Sequence, residues 1–291
     1  MPPPERWFVL TVAAPPREPL RDLIAEGLLA LGGQSVLDEA ETLSTFLPPP
    51  PDPEAFVTFA ADSLRERVGG EPLEVSWAWR PDEDWELDWR RGLQPRKVSP
   101  RLVVKPSWTD WDAAPGEVVV EIDPQMAFGT GEHATTRGCL RLLDASQVPG
   151  DRVLDVGSGS AILSIAAALL GASDVIAVEF DADANFNARE NIERNGVTDV
   201  ITLLEELADP ALVEGLGQFD MVLANILSGV VRPLLPAFAA SLRPRGRLIV
   251  SGILREEADD VIEDARAAGL RLLAEDREDE WWSALFGGSP S

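Results

Sequence analysis

The chain has 291 residues, enough for two domains with separate cores, and its 45% hydrophobic and 26% charged content is that of a globular protein. No apolar run reaches the roughly 20 residues of a membrane helix, the first residues carry no basic leader, and the single cysteine, Cys139, excludes an internal disulfide, so a cytoplasmic setting is expected. The formal charge of −25 disfavours a basic groove for nucleic acid, so no direct DNA binding is expected.

Two readings of that charge remain. An acidic surface can steer a basic protein substrate. It can also keep a protein soluble in a salty cell interior, and this second reading is taken as the main cause.

In chain order, Trp7 to Ala13 reads as a strand. Residues 17–31 place Leu20, Leu23, Ile24, Leu28 and Leu31 at helical spacing, with Gly32-Gly33 as the stop. Short strands are expected at 34–38 and 42–47, then a polyproline connector at Pro48–Pro51. A second amphipathic helix spans 53–67, and Leu73, Val75, Trp77 and Trp79 alternate as a strand with one buried face. Strand, helix, strand, strand, helix, strand is a ferredoxin-like order. Residues 1–80 are therefore read as a small α+β recognition domain without catalytic groups. Residues 81–100 are charged and proline-rich, with Trp85 and Trp89 four apart, and read as a linker holding a short helix. Six of the nine tryptophans lie between 77 and 111, read mainly as glue between segments.

Residues 101–291 read as an α/β domain. Strands are expected at 101–105 and 117–122, a helix at about 133–144, then strands starting near 152, 174, 200, 219, 246 and 270 with helices between. A last strand carries Trp281, Trp282, Ala284 and Leu285. Such alternation makes a mostly parallel sheet covered on both faces.

The centre of this pattern is Val153–Glu179. An apolar strand carrying Asp155 breaks at Gly157-Ser158-Gly159-Ser160. Helix formers then run from Ala161 to Leu170, and a second strand, Val175–Val178, ends in Glu179. Glycines let a ligand approach main-chain N–H groups, and an acid about 20 residues on is placed for a ribose hydroxyl pair. The spacing departs from the dinucleotide fingerprint and approaches the turn of S-adenosylmethionine (AdoMet) methyltransferases, with Ala161 at the third glycine. Taken alone, the segment also fits a turn that merely packs.

Two other stretches face the same crevice. Thr135 and Thr136 fall on the first turn of a helix, where hydroxyls and free N–H groups bind a carboxylate, or simply cap their own helix. Asn225 ends the buried strand FDMVLAN, at the carboxyl end where open α/β sheets bind ligands. Its amide carbonyl can accept from an amine and orient the lone pair. His133, the one histidine, is a candidate proton acceptor, though a structural or cofactor-loop role is preferred. Cys139, among leucines, reads as a small buried apolar residue. No metal-ligating set is expected.

DPQMAFGTGEHATT, VLDVGSGSAIL, ENIERNGV, ANIL and RPRGRLIVSGIL occur in this order. Together with the tryptophans at 85, 89 and 108, this series resembles the methyltransferases of ribosomal large-subunit protein L11. The resemblance spans essentially the whole chain and is strongest from residue 85 on. It implies a class I AdoMet-methyltransferase fold, Rossmann-like with a seven-stranded, mostly parallel sheet, and methylation of lysine or N-terminal amines of L11. It further implies that Thr136 contacts the cofactor, that Gly157 and Gly159 lie against its methionine moiety, and that Glu179 binds its ribose. Asn225 corresponds to the asparagine that contacts AdoMet or the incoming amine. The sequence departs from the family pattern at Ser158 for Cys, Ala161 for Gly, Glu179 for Asp, and Glu132 and Ala134 for Thr and Pro. Rival readings are a methyltransferase of another protein or small amine, and a non-enzymatic AdoMet sensor.

Overall fold

The computed structural model describes residues 6–14, 20–33, 36–39, 42–81, 93–123, 131 and 133–288. The chain divides into two units, Met1–Gly92 and Leu93–Ser291.

In the first unit, β1 (Arg6–Ala13), β2 (Val36–Glu39), β3 (Thr42–Leu47) and β4 (Val75–Pro81) form one antiparallel sheet in the order β2-β3-β1-β4. The helices α1 (Leu20–Ala30) and α2 (Pro53–Arg67) complete the ferredoxin-like arrangement. Period-2 alternation sends Phe8, Leu10 and Val12 of β1 to one face, where they meet Ile24 and Leu28 of α1 and Leu64 of α2. Trp77 stacks on Phe8 at 5.0 Å and Trp79 meets it edge-on at 5.5 Å, so these two tryptophans pack inside their own unit. The expected linker helix around Trp85 and Trp89 lies outside the described residues.

The second unit begins with a small sheet not anticipated as separate. The strands β5 (Arg96–Lys97), β6 (Leu102–Lys105) and β7 (Val118–Glu121) pair only with one another. The helix α3 (Ala134–Ser146) follows. The main sheet comprises β8 (Arg152–Val156), β9 (Asp174–Val178), β10 (Ile201–Leu204), β11 (Phe219–Asn225), β12 (Leu242–Leu254), β13 (Leu270–Glu278) and β14 (Trp281–Gly288). Its order is β10-β9-β8-β11-β12-β14-β13, parallel except that β14 runs antiparallel to both neighbours. The strand expected from residue 246 already starts at Leu242, with a register shift between Phe219 and Met221 of its partner.

The helices α4 (Ile162–Leu169), α5 (Ala182–Arg194), α6 (Pro210–Gly215), α7 (Ser228–Ser241) and α8 (Ala258–Ala267) connect these strands. Strands buried on both faces send alternate side chains to two cores: Val153, Leu223 and Ile249 to one, Leu154, Val222 and Leu248 to the other. Each such side chain stabilises by about 2 kcal/mol, which fixes the register of β8 and β11 and hence what their carboxyl ends present. Those ends place Gly157 and Asn225 side by side, since Ala224 pairs with Val156 across the two strands.

Candidate active site

A cavity of about 480 Å³ opens at the carboxyl ends of β8, β9, β10 and β11, a usual size for a small-molecule site. Its walls include Gly157, Gly159, Glu179, Asn225, Thr135 and His133, all six singled out from sequence. Four exposed apolar side chains, Phe180, Leu207, Leu227 and Val230, also line it.

The floor is the glycine turn. Gly157 and Gly159 have φ of 71° and 52°, and Ala161 follows in the left-handed region at 64°. Glycine adopts such angles freely, whereas alanine there costs about 1–2 kcal/mol. The turn survives the replacement at 161 and carries strain in doing so. Ala161 precedes α4 without a side-chain cap, and its N–H donates to the Ser158 carbonyl at 2.8 Å.

Glu179 closes one side. One carboxylate oxygen accepts from the Gly159 N–H at 3.1 Å, and the other from the Phe180 and Asp181 N–H groups at 2.9 and 3.0 Å. The methylene beyond an aspartate lets the acid bridge its own loop to the glycine turn. A carboxylate has about four acceptor positions, so capacity for a hydroxyl remains after these three bonds.

The opposite wall is the start of α3. His133 caps this helix, its Nδ1 accepting from the Thr135 N–H at 3.4 Å and lying 2.7 Å from the Thr135 hydroxyl. Its ring stands edge-on to Trp281 at 5.0 Å. Burial, then the Arg137 guanidinium, holds the imidazole below its ordinary value. A neutral ring already accepting at Nδ1 serves as a cap, and a proton taken up there would break it. Thr135, not Thr136, lines the cavity. Thr136 is fully buried behind the wall and receives the Asn225 Nδ2–H at 3.4 Å.

Asn225 supplies the reactive-looking group. Its carbonyl oxygen is buried and has no hydrogen-bond partner among the described residues. Two more buried oxygens have no partner among the described residues: Oγ of Ser158, which lines the cavity, and Oδ1 of Asp155, which lies on β8 and does not line it. The other oxygen of Asp155 accepts from the Ser164 hydroxyl at 2.6 Å. Burial pushes the Asp155 carboxyl up to about 6 against that bond, with the Glu179 charge adding to the rise. Buried acceptors left empty cost free energy that a cationic or N–H-bearing ligand recovers. Of these, Asn225 and Ser158 line the cavity, and with Glu179 they fit a ligand with an ammonium group at the turn and hydroxyls at Glu179, as AdoMet has.

Asp155 was visible in the sequence only as an acid in an apolar strand. Gly252 and Trp281 also line the cavity, and local pattern gave no sign of either. Gly252 is required: its φ is 78°, and a Cβ there would stand 2.6 Å from the Ile226 carbonyl oxygen. Cys139 is buried and does not line the cavity, and burial raises its thiol far above the ordinary range. Of the DPQMAFGTGEH stretch, residues 124–130 and 132 lie outside the described residues.

A seven-stranded sheet of this order, with a glycine turn, a strand-end acid and a strand-end asparagine around one cavity, defines a class I AdoMet-dependent methyltransferase. The family model described as ribosomal protein L11 methyltransferase (PrmA) matches residues 32–287. Relatives named ribosomal protein L11 methyltransferase include those of Geobacter metallireducens, 37% identical over 96% of this chain and 97% of the relative, and Geobacter sulfurreducens, 39% identical over 92% and 94%. A crystal structure of ribosomal protein L11 methylase from Lactobacillus delbrueckii subsp. bulgaricus aligns with a TM-score of 0.61 at 28% identity, over 66% of this chain and 97% of that one. The chain belongs to the ribosomal protein L11 methyltransferase family.

Proposed function

We propose that this chain methylates lysine side chains, the N-terminal amine, or both, of ribosomal protein L11, the substrate named in its relatives. The carrying observation is the buried carbonyl oxygen of Asn225 on the cavity wall, which has no partner among the described residues. AdoMet, when bound, supplies a methyl group activated by the sulfonium charge. Asn225 accepts one N–H of the substrate amine and so turns its lone pair toward the methyl group. Gly157 and Gly159 seat the methionine moiety, Thr135 and Thr136 hold the helix start beside it, and Glu179 receives the ribose. The apolar rim excludes water and favours the neutral, nucleophilic amine over its ammonium form. His133 acts as a helix cap rather than a base, so the ammonium gives its proton to bulk solvent before the amine enters the cavity. Residues 1–80 act as the substrate-recognition module and 81–100 as the linker. A cytoplasmic location goes with this substrate.

The test is intact-mass analysis of purified L11 after incubation with the full chain and AdoMet. Whole-methyl increments are expected, and their absence while AdoMet still binds would point to another acceptor. Asn225→Ala is expected to lower kcat about 100-fold, with AdoMet affinity changed only a few-fold. An unchanged rate and affinity would remove Asn225 from the mechanism.

A further inference from the structure

Helix α5 and its C-cap carry asparagines at 187, 191 and 195, four apart and therefore on one face. Besides bonds within the helix, their amides reach main chain outside it. Asn195 accepts from the Glu121 N–H at 2.9 Å and donates to the Glu121 carbonyl at 2.7 Å. Asn191 accepts from the Asp123 N–H at 3.0 Å, and Asn187 donates to the Asp123 carbonyl at 2.9 Å. Alternate residues of the segment leaving β7 are thus paired by side-chain amides where a strand would otherwise stand.

Asn191 does one thing more. Its Nδ2 donates to the Ser160 carbonyl at 3.2 Å, and Asn191 and Ser160 are both fully buried. Ser160 immediately precedes Ala161, the alanine held at a φ of 64°. A strained backbone angle persists only where its surroundings over-determine it. The Ser160 bond is one of those constraints, and the same turn presents the Gly159 N–H to Glu179.

We propose that Asn191 is a positioning residue for cofactor binding: its amide clamps the Ser160 carbonyl and so holds the strained Gly157–Ala161 turn in its ligand-binding shape. The inference rests on the reading of this cavity as the AdoMet site. The clamp matters here because residue 161 is alanine. With glycine at that position the turn would need less holding.

The experiment is calorimetric measurement of AdoMet and S-adenosylhomocysteine affinity for the full chain and four variants. Asn191→Asp keeps the acceptor used by Asp123 and Arg194 and removes the donor to Ser160, together with the longer donations to the Asn187 side chain and the Asp123 carbonyl. It is expected to weaken both ligands about tenfold, the scale of one lost buried hydrogen bond. Asn195→Ala removes ladder bonds away from the turn and is expected to stay within about twofold. Ala161→Gly combined with Asn191→Asp is expected to bind within about threefold of Ala161→Gly alone. Should Asn191→Asp fail to fold, Asn191→Ser, too short to reach both partners, is read in the same way. Equal losses in the alanine and glycine backgrounds, an equal loss from Asn195→Ala, or no loss at all would overturn the clamp. A wild-type chain that bound neither ligand would overturn the cofactor reading itself, and the clamp with it.

Discussion

Burial moves Asp155 and His133 in opposite directions, because it penalises the charged form of each. A carboxyl raised from 3.8 to about 6 contributes stability that is complete below its unfolded value and is lost as pH rises through the folded one. Relative to Asp155→Asn, the wild type is expected to lose about 2 kcal/mol of stability between about pH 4.5 and about pH 7.5, read by urea denaturation of both proteins. A difference independent of pH would show that Asp155 is ionised throughout. For His133 the sign is reversed. Its folded value is lowered, so the stability it supports is complete above 6.5 and is lost as pH falls. It is the one histidine of the chain, so the imidazole resonances of untagged protein report it alone, with an expected midpoint below 6.5. A midpoint above 6.5 would revive it as a base. Residue identity announced Gly157, Gly159, Glu179 and Asn225, since each is a chemical type at a telling place. The partners of Asn225 and Glu179 were not legible, because they come from segments as distant as Thr136 and Gly159.

The glycine turn is the element on which the site depends, and Ala161 tests its energetics. Replacing it by glycine relieves about 1–2 kcal/mol of left-handed strain, gives up a buried methyl worth about 0.8 kcal/mol, and adds about 0.5–1 kcal/mol of chain entropy. These nearly cancel, so Ala161→Gly is expected to change stability by less than about 1 kcal/mol, whereas Ala161→Val, branched at Cβ, is expected to cost more than about 2 kcal/mol. A large gain from the glycine would mean that the strain is underestimated. On β14, Trp282 is fully buried and its indole N–H donates to Glu275 at 2.9 Å. Trp282→Ala is expected to cost about 3–5 kcal/mol in denaturant melts. Helices and strands with strong periodicity, such as β1, α2, β8 and β9, were legible almost to the residue. The separate β5-β6-β7 sheet was not. Its first strand is two exposed residues with no pattern, and strand pairing is a long-range fact.

At the scale of the whole molecule, 50 acidic against 25 basic residues means self-repulsion that salt screens. The thermal midpoint is expected to rise between about 0.1 and about 1 M KCl, where the screening length falls from about 10 Å to about 3 Å. A steady fall in both midpoint and activity would remove the salt-adaptation reading and leave steering of a basic substrate. Sequence by itself determined the α+β and α/β patterns, the order of elements and the residue types at the ends of β8, β9 and β11, because periodicity and glycine chemistry are local. Only the tertiary structure decided which atoms those residues leave free. Register across β8 and β11 brings Gly157 beside Asn225, and packing strips the Asn225 oxygen of partners. The fold of α5 against β7 and the turn makes Asn191 a clamp. Each of these is a contact between segments far apart in the chain, and no local pattern encodes them.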